Sequence, residues 1–409
     1  MASHSFLALI HLLSVFALAS SSTYTTTTTK HCNPLALTNH SNNPKHKPMA
    51  EAQPTRLFLC SQSSPPQTPH RNTSTSSLIK TPLFARSYGG YSVSLSFGTP
   101  PQTLSFVMDT GSSLVWFPCT RRYICLHCNF PNASSTNLSP FLPKLSSSAK
   151  LLGCKNPKCG WVFGADVLSQ CPDCNKSSRN CTQTCPAYGI KYGSGSTSGL
   201  LLSETLKFPG RLVKDFVVGC SIFSTQQPSG IAGFGRGPES LPVQMGLKKF
   251  SYCLVSHRFD DTPKSSDMAL VAGRLGAGES KIRGLRYTRF LNNKLASNPA
   301  FQDYYYVNLR KITVGGKRVK VPYKFLVPGS DGNGGTIVDS GTTFTFMAKR
   351  VFKAVAKELE KQMANYSRAA DVENLSGLRP CFDISGEQSV VFRNWFPFQR
   401  RSEDEAAAS

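Results

Sequence analysis

Ser105-Phe106-Val107-Met108-Asp109-Thr110-Gly111-Ser112-Ser113 and Thr336-Ile337-Val338-Asp339-Ser340-Gly341-Thr342-Thr343 are two renderings of one pattern: a short apolar run, then Asp, a hydroxyl residue and Gly. Each copy has the same approach. Tyr91-Ser92-Val93 runs to a turn at Gly98, and Tyr306-Val307-Asn308 runs to Gly315-Gly316. Strand, glycine turn, apolar strand and Asp thus occur twice in the same order, which predicts two related lobes with one Asp from each. An Asp straight after an apolar β-run is poorly placed as a surface charge, and burying it costs several kcal/mol unless its carboxylate is hydrogen-bonded. The glycine permits a sharp turn, and the neighbouring hydroxyl can donate to a carboxylate or to nearby backbone. A single Asp-Gly type turn at a strand end is ordinary. Two in matching contexts bring together carboxyls that cannot both ionise readily, so one stays protonated as an acid while the other acts as a base.

Outward from these copies the chain reads as mainly β. Tyr91-Ser92-Val93-Ser94-Leu95-Ser96-Phe97 alternates aromatic or aliphatic residues with serine and then turns at Gly98-Thr99-Pro100-Pro101, the mark of a strand with one buried face. Further β-like runs lie at 212–218 and 304–314; the clearest helix is predicted at 349–363, where Val351, Phe352, Val355, Leu359 and Met363 fall near one face. The 409 residues are 40% hydrophobic and 17% charged, enough for a sizeable core. Lys and Arg number 46 against 23 Asp and Glu, a formal charge of +23. That excludes an acidic solvating protein and leaves polyanionic partners open. The charge is scattered, without a long basic run or a zinc-finger or RRM-like pattern, so no nucleic-acid partner is expected. An acidic cell-wall polysaccharide is the polyanion kept in view.

With these residues the chain resembles the pepsin-like aspartic proteases, and more narrowly the plant nepenthesin-like group, over about 88–385. The resemblance implies a bilobal pepsin-like double β-barrel, here with an incomplete second lobe. It implies that Asp109 and Asp339 activate one water for attack on a peptide carbonyl, with Thr110, Gly111, Ser340 and Gly341 beside the substrate. Tyr192, in Tyr192-Gly193-Ser194-Gly195-Ser196, would be the flap tyrosine covering the substrate strand. Trp116 would hydrogen-bond to it, although Trp116 reads equally well as a core aromatic. The segment Gly230-Ile231-Ala232-Gly233-Phe234-Gly235-Arg236-Gly237 resembles the one that threads beside the first Asp loop; as a phosphate loop it lacks a following helix and a βαβ setting. A protein or peptide substrate, a monomer, no metal and no cofactor are implied. Two other readings stand beside the endopeptidase: a non-catalytic binding or inhibitor-like protein on the same fold, and a basic wall-associated protein.

The N-terminus predicts an address. Residues 6–19 are apolar apart from His11 and Ser14 and end in Ala17-Leu18-Ala19, a small-x-small cleavage pattern, so 1–19 reads as a secretory signal peptide, with a membrane anchor as the alternative. After cleavage no membrane association is expected, and the product is placed outside the cell, in the apoplast, or in the vacuole. Eight sequons (Asn39, Asn72, Asn132, Asn137, Asn175, Asn180, Asn365 and Asn374) fit a glycosylated protein. Residues 20–87 are rich in Thr, Ser, Pro and Asn and read as a linker or as a pro-segment removed on activation. The first lobe is assigned to 88–285, with a Cys-rich insertion at 119–185 like that of nepenthesins. Its nine cysteines include Cys125-x2-Cys128 and Cys171-x2-Cys174, a zinc-ribbon-like spacing that in a secreted chain is better read as disulfides of undetermined connectivity. The second lobe is assigned to 286–386. Residues 387–409 lose the β alternation and read as a frameshifted stretch or a short splice form. Sequencing the transcript and gene across 389–409 separates the two: one extra base opening a long reading frame is the outcome expected of a frameshift, and a stop retained in RNA is that of a splice form.

Overall fold

Tyr91–Phe97 buries alternate residues, and so do the strands it pairs with, which is why the first lobe is one sheet wrapped around an aromatic core. The computed structural model describes residues 77–86, 88–128, 139–174, 181–227, 229–255, 265–272, 288, 290–291, 303–329 and 334–384. The signal peptide expected at 1–19, all sequons except Asn365 and Asn374, Cys32, Cys60 and the tail at 387–409 lie outside the described residues. Twelve strands form the large sheet: β1 (Ser77–Ala85), β2 (Tyr91–Phe97), β3 (Gln102–Asp109), β4 (Trp116–Pro118), β5 (Ile124–Leu126), β6 (Lys150–Leu151), β7 (Tyr188–Lys191), β8 (Ser196–Phe208), β9 (Arg211–Thr225), β10 (Gly230–Gly233), β11 (Leu247–Tyr252) and β12 (Ser265–Ala272). Their order is β11-β12-β1-β2-β3-β10-β4-β9-β8-β6, with β5 on β9 and β7 on β8. β8 also reaches β2, setting Ser96 opposite Lys207 and Phe97 opposite Leu206. The sheet therefore curls on itself, though it is not the closed barrel the resemblance implied.

Phe97 sits at the middle of the core, with the rings of Phe117 and Phe216 each 5.5 Å away in edge-on contact. Such pairs add a little beyond the area they bury. The regular β pattern extends further upstream than the Tyr91 start read from sequence. Ser77–Ala85 pairs with β12 along its length and buries Ile79, Thr81, Leu83 and Ala85 in strict alternation. Lys80 and Pro82 occupy its outward positions, and they masked the pattern.

The cysteines staple this lobe. Cys119 at the end of β4 joins Cys220 in β9, closing a loop of 101 residues, a constraint on the unfolded chain of about 4–5 kcal/mol in the loop-entropy picture. Cys154–Cys171, Cys159–Cys185 and Cys174–Cys181 tie the insertion together, and Cys125 pairs with Cys128. Both Cys-x2-Cys pairs are thus consumed in disulfides.

The second lobe is built from smaller pieces: β13 (Phe290–Leu291) with β14 (Tyr306–Val307), and the hairpin β15 (Ile312–Val314) with β16 (Lys317–Val319). The run at 304–314 is two short strands rather than one. The helix Lys349–Gln362 closes the core, burying Val351, Val355 and Leu359 against Ile312, Val314 and Val319. A second helix, Ala370–Ser376, escaped the sequence reading because it is barely two turns long. It ends at Gly377 with φ of 70°, a left-handed cap. No helix among the described residues is long and apolar enough to cross a membrane.

The lobes meet at a knot of polar groups directly behind the first Asp copy. Ser113 donates to Asp303 Oδ2 at 3.1 Å, the Gly237 N–H donates to Ser113 Oγ at 3.0 Å, and Arg236 N–H donates to the Asp303 carbonyl at 3.1 Å. Tyr305 donates to the Phe234 carbonyl at 2.8 Å. Glu239 enters the same space. Its Oε2 and Asp303 Oδ2 each lie 2.8 Å from where a Cβ on Gly237 would stand, and Glu239 Oε2 is buried with no hydrogen-bond partner. Burial first, and then the Asp303 charge, push the Glu239 carboxyl from 4.5 up to about 7. The folded state thus holds a proton that the unfolded chain has released, and stability drains away as pH rises from about 4.5 through about 7. Glu239→Gln cannot ionise. It is expected to match the parent near pH 4 and to exceed it at pH 7.5 by up to about 3 kcal/mol. Urea unfolding at the two pH values measures this, and equal stability at pH 7.5 would refute it.

Candidate active site

β3 delivers Asp109 at its last position, and the chain turns away through Thr110 and Gly111. β10 lies parallel to β3, with Gly233 opposite Asp109, and Phe234 donates its N–H to the Asp109 carbonyl at 2.7 Å. The first Asp is therefore held from behind by an ordered strand. The second copy is carried differently. Val307 N–H donates to the Thr336 carbonyl at 2.8 Å and Val338 N–H to the Tyr305 carbonyl at 3.1 Å, around one isolated bridge between Tyr306 and Ile337.

Two turns from opposite lobes are locked to each other by exchanged hydrogen bonds. Thr110 N–H donates to Ser340 Oγ at 3.1 Å, and Ser340 N–H donates to Thr110 Oγ1 at 2.9 Å. The hydroxyls then donate onward, Thr110 to the Val338 carbonyl at 3.2 Å and Ser340 to the Met108 carbonyl at 2.9 Å. All donors and acceptors of this buried square are used, which is what makes its burial affordable. The square presents the carboxyls face to face. A Cβ on Gly111 would stand 2.7 Å from Asp339 Cγ, and one on Gly341 would stand 2.3 Å from Asp109 Oδ1. Each glycine is thus the space into which the other lobe's carboxyl fits.

Within its own turn each carboxyl is gripped in the same way. Gly111 N–H donates to Asp109 Oδ1 and Gly341 N–H to Asp339 Oδ1, both at 2.8 Å. Ser112 donates to Asp109 Oδ2, and Thr342 donates to Asp339 Oδ2 at 2.5 Å. Asp109 is only 7% exposed, whereas Asp339 is half-buried. Burial, and then the facing Asp339 charge, raise the Asp109 carboxyl from 3.8 to about 7, against the lowering by the Ser112 and Gly111 donors. The pair consequently keeps a proton through the acidic and into the neutral range.

Over this pair reaches the hairpin of β7 and β8, with Tyr192 at its bend. Tyr192 N–H donates to the Gly195 carbonyl at 3.0 Å. Trp116 is fully buried, and its Nε1 donates to the Tyr192 hydroxyl at 2.8 Å. Burial, with the nearby Asp109 charge adding to it, lifts the Tyr192 hydroxyl well above its ordinary value, keeping it neutral at physiological pH. The far side of the bend is fastened by Gln227 Nε2 donating to the Ser194 carbonyl and Ser194 Oγ donating to Gln226 Oε1, each at 2.9 Å.

All eight residues picked from sequence converge here: Asp109, Thr110, Gly111, Asp339, Ser340, Gly341, Tyr192 and Trp116. Sequence reasoning passed over Ser112 and Thr342, although the signal was in the internal echo, where a hydroxyl follows each Asp by three positions. It also missed Ser113, Asp303, Gln226 and Gln227, whose contacts are made across the fold and leave no local trace.

Residues 91–270 match the family described as "Xylanase inhibitor N-terminal" and residues 304–397 the one described as "Xylanase inhibitor C-terminal", so each family takes in one Asp copy. The chain is 34% identical to a probable aspartyl protease of Arabidopsis thaliana over 72% of this chain and 64% of the relative. It is also 34% identical to aspartic proteinase nepenthesin-2 of Nepenthes gracilis over 77% of this chain and 65% of the relative. These matches span a little under two thirds of either relative's length. Among solved structures, that of edgp shares the fold with a TM-score of 0.52 at 20% identity, covering 73% of this chain and 74% of that one. The chain belongs to the pepsin-like aspartic proteases of plants, alongside the nepenthesins.

Proposed function

We propose that the chain is a secreted aspartic endopeptidase, made with a pro-segment, that hydrolyses peptide bonds of protein substrates at acidic pH. The observation that carries this is the facing pair Asp109 and Asp339, held by the Thr110–Ser340 exchange and retaining one proton between them. The ionised member takes a proton from a water placed between the carboxyls, and that water attacks the peptide carbonyl carbon. The protonated member gives its proton to the carbonyl oxygen, and collapse of the tetrahedral species passes a proton to the leaving amine. Gly111 and Gly341 leave the backbone open beside the pair, and Tyr192, steadied by Trp116, covers the bound strand and limits water access. A second reading, a binding protein on the same scaffold, is favoured by the description of the two matching families as xylanase inhibitor. Pepstatin separates the two, since tight binding requires the intact pair and the bend above it.

Asp109→Asn and Asp339→Asn are each expected to lower kcat by about 100- to 10,000-fold while leaving the fold intact. Activity should fall as pH rises through about 7, where the pair loses its shared proton. Peptidase assays from pH 3 to 8 test this, and full activity at pH 8 with none at pH 4 would exclude the pair as the catalyst. The raised Asp109 carboxyl also destabilises the fold at high pH, so Asp109→Asn should be more stable than the parent at pH 8 by about 2–4 kcal/mol and not at pH 3.5. Thermal unfolding at the two pH values checks the sign. Tyr192→Phe strips Trp116 Nε1 of its acceptor, at about 1–3 kcal/mol if the donor stays dry; a raised KM together with a stability loss of about that size in urea unfolding is the expected signature.

A further inference from the structure

The hairpin of β15 and β16 carries a concentration of charge that the peptidase reading does not use. Arg310 and Lys311 lead into β15, Arg318 lies on β16 opposite Thr313, and Tyr323 begins the short helical turn Tyr323–Phe325. These four side chains line one open cleft of about 350 Å³ in the second lobe, and no carboxylate is among them. Hairpin geometry explains the convergence. Ile312, Val314 and Val319 point into the lobe core, so Lys311 and Arg318 are left on the outer side.

Three cations in one cleft repel one another, and the cost falls only if an anion is present. Among the described residues none of Arg310, Lys311 and Arg318 makes an ion pair; the neighbouring Lys317 does, 3.5 Å from Glu358. Arg310 is also fixed in position. Its guanidinium lies 4.9 Å from the centre of the Tyr323 ring and donates to the Tyr323 hydroxyl at 2.9 Å, and that hydroxyl donates to Asn308 Oδ1 at 3.0 Å. A guanidinium held this way has already lost the freedom that binding would otherwise take from it. Tyr323 itself stays 43% exposed, offering a flat face beside the cations. Lys320 and Lys324 are exposed on the chain leading from the hairpin and extend the positive field along the surface.

We infer that this cleft binds an acidic polysaccharide, a chain of carboxylated sugars whose carboxylates pair with Arg310, Lys311 and Arg318 while a sugar ring lies on Tyr323. The planar fork of arginine matches a carboxylate in two parallel hydrogen bonds. Several cations in a row select a polymer with one charge per ring over a single small acid. A single-stranded nucleic acid would call for a track of stacking aromatics along a basic groove, and the cleft offers one ring. The disulfides, moreover, fit an oxidising compartment. The cleft lies in a different part of the chain from the facing carboxyls, so this inference stands or falls independently of the peptidase reading.

The test is binding of the full-length protein to a decameric oligogalacturonate at low salt, followed by calorimetry, with its fully methyl-esterified form and a single-stranded oligonucleotide of equal charge as competitors. Arg310→Ala with Arg318→Glu is expected to weaken oligogalacturonate binding about tenfold or more. Lys353→Glu with Lys357→Glu, which makes the same or larger charge change on the exposed side of the helix Lys349–Gln362, should change it less than about twofold. All four positions are exposed, so unfolding curves should move little, and Arg318→Gln, which leaves the Arg310–Tyr323 contact in place, serves as a milder second variant in the same direction. Equal losses from the two double variants would reduce the effect to overall charge and overturn the site. Equal binding of the methyl ester, or tighter binding of the oligonucleotide, would overturn the assignment to a carboxylated sugar chain.

Discussion

Two carboxyl groups pressed face to face, one of them buried, are the constraint around which this molecule is arranged. At an effective dielectric constant of about 20, two full negative charges about 4 Å apart repel by about 4 kcal/mol, so the space is habitable only while one proton remains. Every local device keeps the geometry while leaving that proton in place. Backbone N–H groups and hydroxyls hold each carboxyl from its own turn, and the glycines keep the facing side clear. The Thr110–Ser340 exchange stops the turns from drifting apart. That exchange is made of neutral groups, so its strength does not change with pH, and only the carboxyls titrate.

Glu239 and Asp303 repeat the same physics behind the first Asp turn without the same provision. Asp303 has the Ser113 hydroxyl and the Arg236 charge to stabilise it, whereas one oxygen of Glu239 has nothing. The knot at the lobe junction is therefore most secure where Glu239 keeps its proton, which is the range in which the facing pair keeps its own. The lobe junction and the facing pair thus keep their protons over the same span of pH, and both release them as pH rises through about 7. Ser113 connects the two places, since it directly follows Ser112, which holds Asp109, and itself holds Asp303.

Periodicity and repetition made much of this legible in the sequence. The alternation at 91–97, the duplicated Asp turns and the helix at 349–362 needed only local patterns, because in each case one buried face repeats at a fixed interval. Strand Ser77–Ala85 was hidden because Lys80 and Pro82 sit on its outward face within a stretch of turn-forming composition. The disulfide pairing could not be read, since Cys119–Cys220 depends on β4 lying beside β9. Asp303, Gln226 and Gln227 were invisible for a similar reason: each acts on a residue tens of positions away, through contacts that exist only once the sheet has curled. The facing carboxyls were readable because each is written in adjacent residues; their supports were not.

The two halves of the pair are not equally supported. Asp109 ends a long strand flanked by β2 on one side and β10 on the other. Among the described residues, the segment carrying Asp339 has one isolated bridge and two backbone hydrogen bonds to the stretch 305–307, and Ile337 beside it is 39% exposed. Rigidity must therefore flow from the first lobe to the second. Thr343 donates to the Gly89 carbonyl at 2.9 Å, Ser340 donates to the Met108 carbonyl, and Asp303 accepts from Ser113, so each contact anchors the second lobe to backbone or side chains set by β2 and β3 or their flanks. The Asp339 turn borrows its position from the Asp109 turn. Loosening the shared hydroxyls would be felt first at Asp339, and the pair would then lose its alignment from that side while Asp109 was still in place.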